Sequence, residues 1–183
     1  VIEIGVIRDT RFNDATTAAV SGITQYGLPM SEKEMIAIHN AHKTPEAFVQ
    51  RRLSPYTVEC LMSSAQLMSS EMHYSGGRAQ MTQDYMDQLK NGSYLLNVKE
   101  LNTFDSIELV NKKVYAVQIQ KNSNGVALRK FSSIKEYGVV VGDAQITKVD
   151  YETKVDEMLA KKISAATDAS VSKQRLMTAQ QQQ

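Results

Sequence analysis

Cysteine and histidine are the side chains of this sequence best suited to nucleophilic chemistry. The chain has one cysteine, Cys60, and three histidines, and a cysteine nucleophile is usually a thiolate activated by a nearby imidazole. Cys60 lies beside the apolar stripe of a predicted helix, and His73 follows it in the chain. A hydrolase that uses Cys60 with His73 is therefore one hypothesis. A lone cysteine beside such a stripe is more often an inert core side chain, which is the reading we prefer.

Metal and carboxylate chemistry find less support. His39 and His42 are three residues apart, a spacing that two metal ligands can have, but no third ligand is evident nearby. Glu71, Asp84 and Asp87 are distributed around helices, whereas paired-carboxylate chemistry needs two groups that converge. The sequence contains no glycine-rich phosphate loop, nucleophile elbow, zinc-protease motif or paired-cysteine motif. We therefore predict a protein that is not an enzyme and has no catalytic residue, metal or cofactor.

Composition excludes several other classes. The 183 residues carry 21 Lys and Arg against 20 Asp and Glu, a net charge of +1, and so produce no strong field for a polyanion. No aromatic ladder accompanies the basic doublets, so nucleic-acid binding is not expected. A single cysteine cannot form an internal disulfide, which is typical of intracellular domains. The sequence has no run of about 18 apolar residues and no signal peptide, so no membrane span is predicted within it.

Strands are predicted where apolar residues recur at every second position. Two strands joined by a turn at residues 9–14 account for residues 1–26. Further alternation predicts an antiparallel hairpin or meander over residues 94–128, with a turn at 123–125. The β-branched run that opens residues 139–149 predicts the most buried strand of the chain.

Helices are predicted from capping residues. Ser31 and Glu34 have the spacing of a capping box, which predicts a short helix that ends near Ala41. Thr44 and Ser54 each precede a proline, an arrangement typical of an N-cap followed by the first helical residue, so each predicts a helix start.

Two apolar stripes follow at helical spacing. The first predicts a helix that packs on a sheet, and the second predicts a helix that stops at Asn91-Gly92. Several of the nine methionines occupy these or neighbouring positions, so we expect them to fill the core rather than form a binding surface. The stripe residues are Val58, Leu61, Met62, Ala65 and Met68, then Met81, Tyr85 and Leu89, and Met72 and Met86 are the neighbouring methionines.

The C-terminal segment predicts one long helix. Asp150 is a plausible N-cap, and no proline or glycine follows it, so the helix could exceed thirty residues. Its apolar stripe is narrow and its far end is polar, and such a helix rarely stands alone in water. We therefore predict an α+β domain over residues 1–150, rich in antiparallel strands and packed amphipathic helices, and an oligomerising helix over residues 151–183.

Residues 137–151, read as YGVVVGDAQITKVDY, and the Ala/Lys/Gln-rich helix after them resemble the SPFH (band 7) family of stomatins, prohibitins, flotillins and bacterial Hfl-type proteins. Residues 19–29 look like the central strand of that family, and residues 44–69 look like its sheet-covering helices. The resemblance covers nearly the whole chain, although residues 102–131 look longer than the corresponding hairpin of the family.

The resemblance implies a function. Members of the family are membrane-associated scaffolds: many copies assemble into rings or cages that organise microdomains and partner proteins, sometimes membrane AAA-type proteases. The start at Val1 and the end in glutamines look like cuts in something longer, and the resemblance places a membrane anchor before Val1. A bacterial or phage member fits best.

The final helix is then the assembling element. We expect its apolar residues Val155, Leu159, Ile163 and Ala166 to face neighbouring helices or the domain. We expect the cations Lys161, Lys162 and Lys173 to form ion pairs between chains, each worth under about 1 kcal/mol. The alternatives are a soluble structural subunit of a viral or secretion assembly and, less favoured, the Cys60 hydrolase.

Overall fold

A computed structural model describes residues 1–105 and 110–181, with side-chain environments for residues 1–99 and 116–178. The α+β prediction is confirmed: antiparallel sheets combine with packed helices and a long C-terminal helix. The strands are β1 (Ile2–Arg11), β2 (Thr17–Gly27), β3 (Leu96–Asp105), β4 (Val110–Ile119) and β5 (Val140–Tyr151). The helices are α1 (Glu32–His42), α2 (Pro45–Phe48), α3 (Ser54–Gln66), α4 (Ser70–Met72), α5 (Arg78–Asn91) and α6 (Thr153–Gln181), with π-helical turns at Val49–Leu53 and His73–Gly77 and a 3₁₀ turn at Lys135–Tyr137.

The main sheet has the strand order β1-β2-β5, and both pairs are antiparallel. The first hairpin stays paired from Ile2 opposite Tyr26 to Arg11 opposite Thr17. Its turn therefore lies at residues 12–16, later than the predicted turn at residues 9–14, because Asp9 still belongs to the ladder. The amide of Phe12 closes the turn by donating to the carbonyl of Thr16 at 2.8 Å.

The prediction that residues 139–149 form the most buried strand is wrong. In the main sheet β2 is central and β5 is an edge strand, and Val140 is 65% exposed whereas Val20 and Tyr26 of β2 are fully buried. A β-branched run predicts a strand, but its position in the sheet depends on which strands pair with it.

A layer of helices covers one face of the main sheet. Helix α3 packs under β1, α5 packs under β5, and the two helices contact each other. Their buried apolar side chains form one core with β2. The predicted stop of α5 is confirmed, since Gly92 ends the helix with a φ of 101°.

Of the helix starts predicted before the two prolines, the one at Thr44 is confirmed and the one at Ser54 is wrong. Thr44 caps α2, because its hydroxyl accepts from the Ala47 amide at 3.1 Å. Ser54 is no cap: its backbone is helical, and the π-helical turn Val49–Leu53 joins α2 to α3. The wider turn accommodates Pro55, which has no amide proton to donate.

The predicted capping box at the start of α1 is also wrong. Ser31 occupies the N-cap position, but its side chain makes no capping hydrogen bond. The carboxylate of Glu34 does not reach back to Ser31 and instead lies against Gly138. A tertiary contact has therefore replaced the local one.

Strands β3 and β4 form a separate antiparallel hairpin. Isolated bridges join Tyr94 to Arg129 and Lys121 to Ala127, so a short third segment follows the hairpin. Gly125, with a φ of 79°, turns the chain between them, as predicted. The predicted meander is thus present in the part of residues 94–128 that the structure describes.

Helix α6 begins later than predicted. Asp150 lies inside β5, which continues to Tyr151, so Asp150 is not an N-cap. The carbonyl of Glu152 accepts the first amides of the helix, from Val155 at 2.8 Å and from Asp156 at 3.0 Å. The described helix has 29 residues. No helix in the described part of the chain is long and apolar enough to cross a membrane.

Candidate functional site

The first three turns of α6 are attached to the rest of the chain. Leu159 is 2% exposed, Val155 and Ile163 are half-buried, and α6 contacts α4. The ammonium of Lys162 donates to Glu71 of α4 at 2.6 Å. Both ends of this ion pair are largely exposed, so it positions the helix more than it stabilises the fold.

A cluster of aromatic and polar side chains anchors the junction between β5 and α6. The Tyr151 hydroxyl and His73 Nδ1 are hydrogen-bonded at 3.0 Å. The ring of Phe12 lies 5.6 Å from that of Tyr151 and 5.8 Å from that of His73. Asp14 accepts from the amide of Ser70 at 2.8 Å, which joins the first hairpin to α4. Helix α6 therefore leaves the domain from a fixed point.

Beyond Ile163, the described side chains of α6 are not covered by the rest of the domain. Every described side chain from Ser164 to Thr178 is exposed. Three of them are large and apolar, with exposed fractions of 41% for Val171, 66% for Leu176 and 54% for Met177. An isolated helix in water gains little stability from such side chains, and exposed apolar side chains are common at interaction surfaces.

The predicted assembly residues fall into two groups. Val155, Leu159, Lys162 and Ile163 lie in the attached part of the helix, where Lys162 pairs with Glu71 of its own chain. Ala166 and Lys173 lie in the part beyond Ile163, and Lys161 lies at an exposed position of the attached part. Interchain ion pairs remain a prediction for all three lysines.

Sequence reasoning gave no role to Val171 or Glu71. Val171 sits among polar residues, and only its helical position and its exposure in the fold distinguish it. Glu71 and Lys162 are far apart in the chain and no local pattern connects them.

The environment of Cys60 does not favour a nucleophile. The thiol is fully buried, and burial raises its pKa to about 12, whereas a reactive cysteine needs a lowered pKa and some exposure. His73 uses Nδ1 to bond Tyr151, and burial, followed by the nearby Arg78, lowers its pKa. The two residues thus have separate structural environments.

The other candidate residues also have structural partners. The ring of buried His42 is hydrogen-bonded to the Tyr137 hydroxyl at 3.3 Å, while His39 is exposed. Asp84 accepts from Gln80 at 3.0 Å, and Asp87 accepts from Arg129 at 2.6 Å. Within the described residues, no group of three or more possible metal ligands comes together.

The expectation that the methionines fill the core holds for some of them. Met68 and Met81 are buried, and Met86 is half-buried against the core. Met62 and Met72 are 37% and 54% exposed, so for them the expectation is wrong. The fully buried residues of α3 are Thr57, Cys60, Leu61, Ser64 and Ala65, and Met62 lies outside this set.

A comparison with models of known protein families found no match, and a comparison with curated proteins found no similar protein. The likeness to the SPFH family therefore stays a resemblance of residues 137–151 with the helix after them, of residues 19–29 and of residues 44–69. Residues 19–27 lie in the central strand of the main sheet, and α3 covers that sheet. A central strand covered by helices occurs in many folds, so it does not identify a family.

Proposed function

We propose that this chain is a non-enzymatic scaffold subunit that self-assembles through α6 into rings or cages at a membrane. The observation that supports assembly is the uncovered half of α6, from Ser164 to Thr178. Its apolar residues Val171, Leu176 and Met177 are exposed, so the described part of the chain does not cover them. The membrane location and a possible AAA-type protease partner rest on the family resemblance.

The dimensions of α6 suit side-by-side packing. A helix of 29 residues is about 44 Å long at about 1.5 Å per residue, and roughly half of it extends past its last buried contacts. Because the junction at Tyr151 is anchored, α6 would extend from its domain in the same direction in every copy. Identical rods that contact a neighbour through two different sides form a ring when the rotation closes.

Each contact in such an assembly can be weak. The exposed stripe of α6 is narrow, so one pair of helices would bury little apolar area. A closed ring joins each copy to two neighbours, and the second contact forms at a high effective concentration. Small residues such as Ala166 and Ala169 also permit close approach between helices.

The test compares the whole chain with a variant that carries Val171→Ser, Leu176→Gln and Met177→Gln. Sedimentation velocity over a range of concentrations and electron microscopy on vesicles would measure assembly. We expect wild-type protein to form large, regular species and the variant to stay monomeric. Circular dichroism should confirm that the domain remains folded, since all three side chains are exposed.

A matched control carries Ile7→Gln, Met30→Gln and Met72→Gln, three exposed apolar residues outside α6. This control should assemble like wild type. Equal loss of assembly in both variants, or a monomeric wild type, would contradict the role of α6. Vesicle flotation of a protein that also carries the segment placed before Val1 by the resemblance separates the scaffold from its alternative, because a soluble viral or secretion subunit would assemble without floating.

The hydrolase alternative has its own test. Cys60→Ala removes the buried thiol, so this variant should assemble as wild type does. Hydrolysis of a model ester that the wild type performs and Cys60→Ala does not would favour the enzyme instead.

A further inference from the structure

The outer edge of β1 is a long open strand edge. In the described residues β1 pairs with β2 on one side only, over ten residues in continuous register. The strand contains no proline and no bulge, two devices that protect an edge from pairing. Its charged residues are Glu3, Arg8, Asp9 and Arg11, so a partner strand must complement these charges. Its free amide and carbonyl groups are a template for one more strand.

The opposite edge is protected. The β2–β5 ladder has register shifts near Gly22 and Thr24. Arg78 donates to the carbonyls of Ile146 at 2.8 Å and Thr147 at 2.7 Å, and α5 packs against β5. The contrast between the two edges indicates that β1 is the one suited to pairing.

A groove of about 750 Å³ runs beside the open edge. Arg8 borders it from β1, a face of α3 forms one side, and residues 93–96 form the other. The apolar residues that line it are Pro55, Val58, Met62, Leu95 and Leu96. A strand paired with β1 would direct every second side chain towards this groove.

Two polar groups in the groove lack partners. Ser63 is 8% exposed, and its hydroxyl oxygen has no hydrogen-bond partner among the described residues. A buried hydroxyl without a partner is costly, and a ligand that bonds it recovers that cost. Arg8 is exposed and forms no ion pair with a carboxylate in the part of the chain that the structure describes. A bound segment with a carboxylate near Arg8 would complement its charge.

The same edge of a second copy does not fit this site. Because α3 packs beneath β1, pairing β1 with its own copy would bring two α3 helices under adjacent strands. Adjacent strands lie about 4.8 Å apart, whereas packed helices need about 8–10 Å. The occupant must therefore be a strand without a helix beneath it.

We propose that β1 and the α3 groove bind an extended segment of a partner protein by strand addition. The segment has apolar side chains at alternate positions, which fill the groove, and an acidic side chain opposite Arg8. Backbone hydrogen bonds supply affinity, and the groove supplies specificity. This site is separate from α6 and goes beyond the assembly role.

The probe is a labelled peptide in which valine alternates with threonine over ten residues, with a lysine at each end for solubility. One central valine is replaced by glutamate in the first form, by lysine in the second and by glutamine in the third. Fluorescence polarisation with the whole chain measures the affinity of each. We expect saturable binding, tightest for the glutamate peptide. Arg8→Glu should weaken that peptide by about tenfold or more and improve the lysine peptide.

Amide exchange measured by NMR locates the binding. The peptide should slow exchange at every second amide of β1 and leave β5 unchanged. Met62→Gln, which places a polar but uncharged amide in the groove, should weaken binding of all three peptides by about tenfold, and Met72→Gln, at an exposed methionine outside the groove, is the matched control.

Three results would overturn the proposal: no saturable binding of any peptide, equal loss in the Met62 and Met72 variants, or protection away from β1. None of these measurements depends on assembly through α6. The triple α6 variant should bind the peptide as wild type does, so the two proposals can fail separately.

Discussion

Helices α3 and α6 both carry an apolar stripe along one side, yet the chain covers the stripe of α3 and leaves most of α6 exposed. In α3 the side chains of Cys60, Leu61 and Ala65 are fully buried between the sheet and α5. In α6 only Leu159 is buried among the described side chains. A stripe reports which side of a helix avoids water, and the available partners decide what covers it.

Polar contacts of α3 are also buried, whereas the polar contact of α6 with the domain is exposed. Under the sheet, Gln88 of α5 donates to the Ser64 hydroxyl of α3 at 2.7 Å, and the hydroxyls of Tyr26 and Thr57 are hydrogen-bonded at 2.6 Å. These groups are buried, so their bonds fix how the helices sit on the sheet. The polar link of α6 to the domain through Lys162 and Glu71 is exposed to solvent.

The largest expected effect comes from truncating a core leucine. Leu61→Ala should lower the free energy of unfolding by about 2–5 kcal/mol, because it leaves a cavity under the sheet. Leu176→Ala, at 66% exposure on α6, should change it by less than about 0.5 kcal/mol. Urea titration of dilute, monomeric protein measures both. Similar losses of unfolding free energy in the two variants would mean that α3 and α6 contribute equally to the folded core.

A second test removes one hydroxyl from the layer that covers the sheet. The hydroxyls of Tyr85 and Thr24 are hydrogen-bonded at 2.7 Å, and both residues are fully buried. Tyr85→Phe leaves the threonine hydroxyl unpaired, so we expect a loss of about 1–3 kcal/mol on urea unfolding. Tyr74→Phe is the control, since Tyr74 is 44% exposed. An unchanged stability of Tyr85→Phe would show that the bond is not needed.

A third test uses pH at the C-terminal end of α1, where His42 is the last residue. His42 packs on Phe48, and burial, followed by Arg52 and Arg51, holds the pKa of His42 below its ordinary value. The unfolded chain then binds the proton more readily. The contribution of His42 is therefore complete above its unfolded pKa of about 6.5 and is lost as the pH falls below that value.

The measurement is urea unfolding between about pH 7.5 and pH 5, a range that spans the ordinary histidine pKa. His42→Gln should show a shallower loss of stability towards acid than wild type. His39→Gln, at an exposed position in α1, should keep the wild-type slope. A slope unchanged by His42→Gln would exclude this residue as the source.

The smallest effect is expected on α6. Lys162→Met removes the ion pair with Glu71 and should cost less than about 1 kcal/mol, because both partners are exposed. Hydrogen exchange should nevertheless accelerate in the first turns of α6 while α3 stays protected. Glu71→Gln should reproduce the result. A loss comparable to that of Leu61→Ala would mean that α6 is part of the core.

Much of the local structure could be predicted from the sequence, because period and capping are local properties. The alternation in residues 1–26 correctly predicted two strands, and Gly92 correctly predicted the end of α5. The buried side of α3 was predicted only in part: Leu61 and Ala65 are buried, but Tyr56 and Thr57 are buried as well. Which neighbouring residues complete a buried face depends on the packing angle, which is not local.

The exposed part of α6, residues 164–178, likewise has some features that are local and others that depend on the tertiary structure. Its helix and its narrow stripe are local features, so the sequence by itself determined that the C-terminal segment forms a long amphipathic helix that is polar towards its end. The start of that helix was predicted too early, because the pairing of β5 continues to Tyr151. Only the tertiary structure decided where on that helix the contacts with the domain stop, because Leu159 and Lys162 meet residues distant in the chain. Likewise, only the pairing of strands decided that β1 has an open edge beside the α3 groove, since a strand becomes an edge through the absence of a neighbour on that side.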